Sequence, residues 1–236
     1  MRLLFLTISS VFALSLSAKS MSYQYKDKEY EIDYIDLKAK KTIFIVHDWD
    51  GLNEYELKRA KMFSDKGFNV LAIDIYGKGV RPNTLEEKKK TSSFYYSNRN
   101  LMLEAVKGAI VKADELKMPK ENRFLVGYCF GGTVGLEIAR NTNDFSKYFI
   151  FHGGLKTPEN QSYKNNKGEL YIYHGGADQA VSLQDVSDLS MLLEKNQQKY
   201  LVQIYSGAPH AFTHFDSDRY RKDADLSSWK HMLSSL

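Results

Sequence analysis

Cys129 is the one cysteine among 236 residues, and a glycine stands two positions to either side of it, in Gly127-Tyr128-Cys129-Phe130-Gly131. The short run before it, Arg123-Phe-Leu-Val, is apolar, and the run after it, Gly132-Thr-Val-Gly-Leu, opens helix-period sequence. A lone cysteine is more often a small buried core residue than a nucleophile. Here the surroundings match the strand-turn-helix motif G-x-S-x-G, with cysteine in place of serine. Such a turn strains the backbone of its central residue, and glycines on both sides leave room for it. The helix that follows points its amino end at the sulfur, which favours a thiolate and any oxyanion formed beside it. A thiolate attacking a carbonyl needs a proton acceptor, and the acceptor needs a carboxylate to orient it. In chain order nucleophile, acid, base, Asp178 follows a strand through Gly175-Gly176, and His210 follows the next strand through Ser206-Gly207-Ala208-Pro209. An aspartate in a turn is ordinarily a turn former; order and placement single this one out. Two backbone donors for an oxyanion are expected from the Phe130 amide and from the His47-Asp48-Trp49-Asp50-Gly51 loop, with the Trp49 N–H as the second donor.

The elements that must hold these residues are legible as short apolar runs at 41–47, 69–75, 123–127, 147–151, 169–174 and 200–205, the pattern of strands buried on both faces. Helix-period segments fall between them at 54–66, 101–116, 133–140 and 183–196. Strand and helix alternate, so the fold class is α/β, a mostly parallel sheet with helices on both faces. The alternation of tyrosine and isoleucine with charge over 23–37 adds an antiparallel hairpin at one edge. Ligands of such sheets bind beyond the carboxyl ends of the strands. The residues there are polar and reactive: His47 and Asp48, Asp74, Cys129, His152, His174 with Asp178, and His210. The polar stretch 77–100 reads either as an excursion bordering the cleft or as a solvated loop and helix with the charged residues 86–90 outward.

Length and a 43% hydrophobic content fit one globular domain. Thirty-three basic residues against 29 acidic ones leave a formal charge of +4, a mild excess that does not imply nucleic acid, and the sixteen tyrosines lack the basic interleaving of a single-strand groove. Arg2, the apolar run 3–16 and the small residues Ser17, Ala18 and Ser20 have the layout of a secretory signal peptide over 1–20, cleaved after Ser20 or, as second choice, after Ser17. Residues 21–236 are then the mature domain, periplasmic or secreted, with no stable membrane span after cleavage. Two other classes stay open. His47, Asp48, His152, His174 and His210 could gather a metal, although no helical i, i+4 spacing or cysteine-histidine cluster supports one. An exported domain with an exposed thiol could instead be a binding module or redox sensor. No cofactor is expected, and monomer and dimer are equally open.

Beyond this reading, the chain resembles the dienelactone hydrolases, a cysteine-using branch of the α/β-hydrolases, from about Lys40 to the C-terminus. The resemblance rests on His47-Asp-Trp-Asp-Gly-Leu-Asn53, Asp74-Ile-Tyr-Gly-Lys-Gly79, Gly127-Tyr-Cys-Phe-Gly-Gly-Thr133, Phe151-His-Gly-Gly-Leu155 and Pro209-His-Ala-Phe-Thr213. It implies an α/β-hydrolase fold, a triad of Cys129, Asp178 and His210, an oxyanion hole at Trp49 and Phe130, and a small-molecule ester or lactone as substrate. The family usually has a glutamate partner for the resting thiol where this chain has Asp48. It has a carboxylate-gripping arginine where this chain has His214, which leaves His214, Arg81 and Arg99 as candidate substrate contacts. Thiolate is a good leaving group from a tetrahedral adduct, so the chemistry favours activated esters and lactones over unactivated amides.

Overall fold

The computed structural model describes residues 18–236. The expected signal peptide therefore lies, for residues 1–17, outside the described residues. One eight-stranded sheet runs through the molecule: β1 (Lys19–Tyr25), β2 (Lys28–Ile35), β3 (Thr42–Val46), β4 (Asn69–Ile73), β5 (Arg123–Tyr128), β6 (Lys147–Phe151), β7 (Glu169–Gly175) and β8 (Tyr200–Tyr205), in spatial order β1-β2-β4-β3-β5-β6-β7-β8. The hairpin β1–β2 is antiparallel and joins β4 antiparallel, while β4, β3, β5, β6, β7 and β8 pair in parallel.

The inner parallel strands are apolar runs because both faces are covered, whereas edge strand β8 is only partly buried. Along β3, Phe44 and Val46 pack to one side, and Ile43 and Ile45 to the other. The first side carries α3 (Arg99–Glu115), α4 (Phe130–Asn141) and α5 (Leu183–Lys195), with Met102, Val106, Leu136, Ile138 and Leu189 in its core. The second carries α1 (Glu54–Ser64) and α6 (Lys222–Ser235), with Tyr55, Phe63, Trp229 and Met232. The expected α/β architecture is the one observed.

Two segments differ from the sequence reading. The stretch 77–100 contains α2 (Leu85–Ser97), started by a Thr84–Glu87 capping box, with its charged residues outward and Tyr96 in the cleft, so both readings describe part of it. Helix α6 was not expected. Its sequence is polar overall, and only Ala224, Asp225, Ser228, Trp229 and Met232 are buried, a stripe too sparse to show as a strong period.

Candidate active site

Strand β5 delivers its chain into α4 through a single residue, Cys129, whose backbone sits at φ 51° and ψ −110°. This is a costly conformation for any residue with a side chain. Surrounding hydrogen bonds hold it: the Cys129 N–H donates to the Phe151 carbonyl at 3.0 Å, and the Cys129 carbonyl accepts from Gly132 N–H at 3.0 Å. The flanking glycines are required by contact. A Cβ on Gly127 would stand 2.1 Å from the Gly131 carbonyl oxygen, and one on Gly131 would stand 2.3 Å from the Val46 oxygen at the end of β3. The turn thus packs against itself and against the neighbouring strand. Phe130 is the first residue of α4, where a helix N–H has no intrahelical acceptor.

The loops after β7 and β8 are tied together by Gly176 N–H to the Tyr205 carbonyl at 2.7 Å and Ala177 N–H to the Ala208 carbonyl at 2.9 Å. That junction places Asp178 beside His210, and His210 over Cys129. Asp178 Oδ2 lies 2.8 Å from His210 Nδ1, and His210 Nε2 lies 3.1 Å from Cys129 Sγ. Asp178 Oδ1 accepts from the amides of Ala180 at 2.8 Å and Val181 at 2.9 Å, which fixes the carboxylate. Burial alone would raise Asp178, but His210 and these amides outweigh it and hold its pKa below the usual value. Burial likewise pushes His210 down, yet its hydrogen bonds to Asp178 and Cys129 prevail and carry it up to about 10. The three residues form one line of proton-sharing groups in a cavity of about 860 Å³, whose wall includes Asp48, Trp49, Tyr96, Thr133 and Val181.

On the β3 side of the cavity three acidic side chains crowd together. Asp48 is buried, and its Oδ1 accepts from the Asp50 N–H at 3.1 Å. Glu56, fully buried at the start of α1, accepts from the amides of Asn53 at 3.0 Å and Asp48 at 3.4 Å. Burial, with Asp50 and Glu56 nearby, pushes Asp48 well above the usual carboxylate range. Asp50 is held down by Asp48 and by Lys88, 3.2 Å away. Burial raises Glu56 to about 8 against the opposing pull of the Asn53 amide.

The model of the dienelactone hydrolase family matches residues 34–236. The chain belongs to the dienelactone hydrolase family. It is accordingly a hydrolase acting on ester bonds. A Bradyrhizobium protein named a probable 2-oxo-3-(5-oxofuran-2-ylidene)propanoate lactonase is 26% identical over 199 residues, covering 79% of each chain. A Saccharolobus solfataricus protein bearing the provisional name carboxymethylenebutenolidase is 22% identical, over 84% of this chain and 89% of its own. The crystal structure of a dienelactone hydrolase-like promiscuous phosphotriesterase from metagenomic libraries superimposes with a TM-score of 0.81 at 21% identity, over 92% of this chain and 97% of that one.

Within this dienelactone hydrolase fold the other expected site residues separate. Trp49 and Asp48 line the cavity, but the hydrogen bond of Cys129 Sγ goes to His210, while Asp48 faces Asp50 and His214. His214 stacks on Tyr55 with ring centroids 4.7 Å apart, and its Nε2 is 3.9 Å from Asp48 Oδ2. Arg99 reaches the cavity wall while paired to Glu137 at 3.0 Å. Arg81 does not fit a substrate contact: it is absent from the cavity wall, bonded to Glu31 at 2.9 Å, and 3.9 Å from Asp74. It pairs with partly exposed Glu31 and lies near buried Asp74.

The five histidines and aspartates weighed as metal ligands do not come together. His47 is a pin between strand ends: Nε2 accepts from Ile75 N–H at 3.0 Å, so Nδ1–H donates to the Asp48 carbonyl at 2.6 Å. Burial lowers it to about 4, and it is neutral. His152 bonds Thr213, and His174 is buried below the Asp178 loop. Among the described residues the group with metal-like spacing is Asp48, Asp50 and His214, within 4.8 Å of one another. Asp50 there is already committed to Asn53 and Lys88. Glu56, Tyr55, Arg59, Thr213 and Tyr96 escaped the sequence reading. Asn53-x-x-Glu56 was detectable as a capping box, whereas the others have no spacing signature.

Proposed function

We propose that the chain hydrolyses an activated ester or a lactone through Cys129, His210 and Asp178. One observation carries the reading: the unbroken line Asp178–His210–Cys129, at 2.8 and 3.1 Å, opening on the cavity. The Cys129 thiolate attacks the carbonyl carbon, forming a C–S bond and an oxyanion that the Trp49 and Phe130 amides stabilise. The adduct collapses with loss of the alkoxide, which takes a proton from the His210 imidazolium. Water then gives a proton to neutral His210 and attacks the thioester, and Cys129 leaves as thiolate. Asp178 holds the His210 ring with Nδ1–H toward itself and stabilises the imidazolium. The lactonase name of the Bradyrhizobium relative favours a lactone among the substrates.

Hydrolysis of short p-nitrophenyl esters and a lactone panel by the wild type, Cys129→Ala and Cys129→Ser, with and without chelator, tests this. Activity abolished in Cys129→Ala and indifferent to chelator supports it. Equal activity in the alanine variant sinks the cysteine mechanism, and loss with chelator moves the weight to a metal. A chain inactive on every ester and lactone but with a reversibly oxidised Cys129 would favour a redox sensor.

We further propose that the chain is exported and its leader removed. Lys19 and Ser20 are paired in β1 with Tyr34 and Asp33; cleavage after Ser17 leaves that ladder whole, and cleavage after Ser20 removes two of its residues. Amino-terminal sequencing of the exported protein distinguishes the sites, and an uncleaved terminus contradicts both.

A further inference from the structure

Behind the His210 loop lies a buried chain of polar groups that the proposed reaction does not use. Arg59 Nη2 donates to Asp225 Oδ1 at 2.6 Å and to the Thr213 carbonyl at 2.7 Å, and its Nε donates to the Tyr55 hydroxyl at 3.2 Å. The Tyr55 hydroxyl lies 2.7 Å from Thr213 Oγ1, which lies 2.8 Å from His152 Nε2. Arg59, Tyr55, Thr213 and His152 are all buried.

A guanidinium only donates, so the Tyr55 oxygen accepts from Arg59. The Tyr55–Thr213 and Thr213–His152 hydrogen bonds continue the chain to the His152 ring. The His152 ring, set by a residue at φ 39°, meets the His210 ring edge to face with centroids 5.4 Å apart and Phe212 at the same distance. The other end of the chain grips the segment that carries His210: Arg59 holds the Thr213 carbonyl, and Tyr55 stacks on His214.

We propose that Thr213 is a positioning residue for His210, acting through this relay. Its hydroxyl orients the His152 ring as a wall against the His210 ring, while its backbone is clamped by Arg59. Loss of the hydroxyl frees His152 to rotate, and His210 loses one side of its seat while keeping Asp178. The effect belongs on the approach of His210 to Cys129 and not on substrate binding, since none of the relay residues lines the cavity.

The proposal rests on the reading of Cys129 and His210 as partners, and its test separates the two. Cys129 is the single thiol, so its alkylation rate by iodoacetamide reports the Cys129–His210 contact without any substrate. Thr213→Val is expected to slow alkylation and kcat by about tenfold with KM within about twofold, and Thr213→Ser to restore both. Thr213→Val indistinguishable from wild type, a change in KM alone, or Thr213→Ser as slow as Thr213→Val would overturn it. Should Thr213→Val fail to fold, Tyr55→Phe keeps the ring on His214 and removes only the hydroxyl; alkylation slowed severalfold supports the relay, and an unchanged rate overturns it. Hydrolysis surviving in Cys129→Ala would instead reject the underlying reading.

Discussion

At the scale of single residues, the site is governed by which groups are paired and which are buried without enough partners. The Asp178 carboxylate is paired three ways, with the amides of Ala180 and Val181 and with His210, and in the proposed reaction its charge orients His210 and stabilises the imidazolium. Asp178→Asn keeps the shape but lets the His210 ring take the wrong tautomer, so kcat on a p-nitrophenyl ester should fall by about a thousandfold with little change in KM; a fall of less than about tenfold would remove Asp178 from the mechanism. Glu56 is the opposite case, a carboxyl whose pKa rises from 4.5 to about 8 on burial. The folded state keeps a proton there that the unfolded chain has released, so its contribution to stability is full below about pH 4.5 and is lost as pH rises through about 8. Urea unfolding of wild type and Glu56→Gln across that window should show the wild type losing ground as pH rises. Parallel stability curves would mean that Glu56 titrates normally.

At the scale of elements, Cys129 is positioned by contact between a turn and a strand end. Gly131→Ala places a Cβ 2.3 Å from the Val46 oxygen, a backbone atom that can move only with β3; a loss of at least about 2 kcal/mol in unfolding free energy is expected. A change under about 0.5 kcal/mol would show that the turn relaxes freely. These same elements mark how far the sequence could be read. Five of the six parallel strands were legible because they are buried on both faces and show apolar runs, and edge strand β8 because its residues are mostly apolar despite partial exposure; the cluster of Cys129, Asp178 and His210 was legible because each lies in the turn or loop after such a run. Arg81 misled because a loop arginine in sequence carries no sign of its partner, here Glu31 fifty residues earlier. Glu56 shows in the sequence only as the end of a capping box, and its contact with the Asp48 amide across the cavity wall has no spacing signature; Thr213 was invisible as a positioning residue because its partners, Tyr55 and Arg59 of α1 and His152 after β6, lie far away in sequence. Helix α6 was missed for a related reason: its buried stripe includes Asp225 and Ser228, polar residues that only the contact with Arg59 and α1 explains.

At the scale of the molecule, the sheet carries its reactive residues to one end while two separately packed layers hold it from either face. Arg59 and Asp225, both buried, join α1 to α6 across one layer at 2.6 Å. Arg59→Met leaves Asp225 buried without its partner and should cost about 3–5 kcal/mol, most of which Arg59→Met with Asp225→Leu should recover, as read by chemical denaturation. A double variant no more stable than the single would mean that the guanidinium acts through Tyr55 and Thr213 and not through the ion pair. The purpose of the whole assembly, on this account, is to let one thiol form and release an acyl group. The most direct test is intact-protein mass spectrometry of enzyme quenched with acid during turnover of p-nitrophenyl acetate, followed by peptide mapping. The Cys129 mechanism requires a transient acetyl group on Cys129 that appears with a burst of p-nitrophenol and persists longer in His210→Ala, where water is no longer activated. Steady hydrolysis with no acylated Cys129 at any quench time would contradict it.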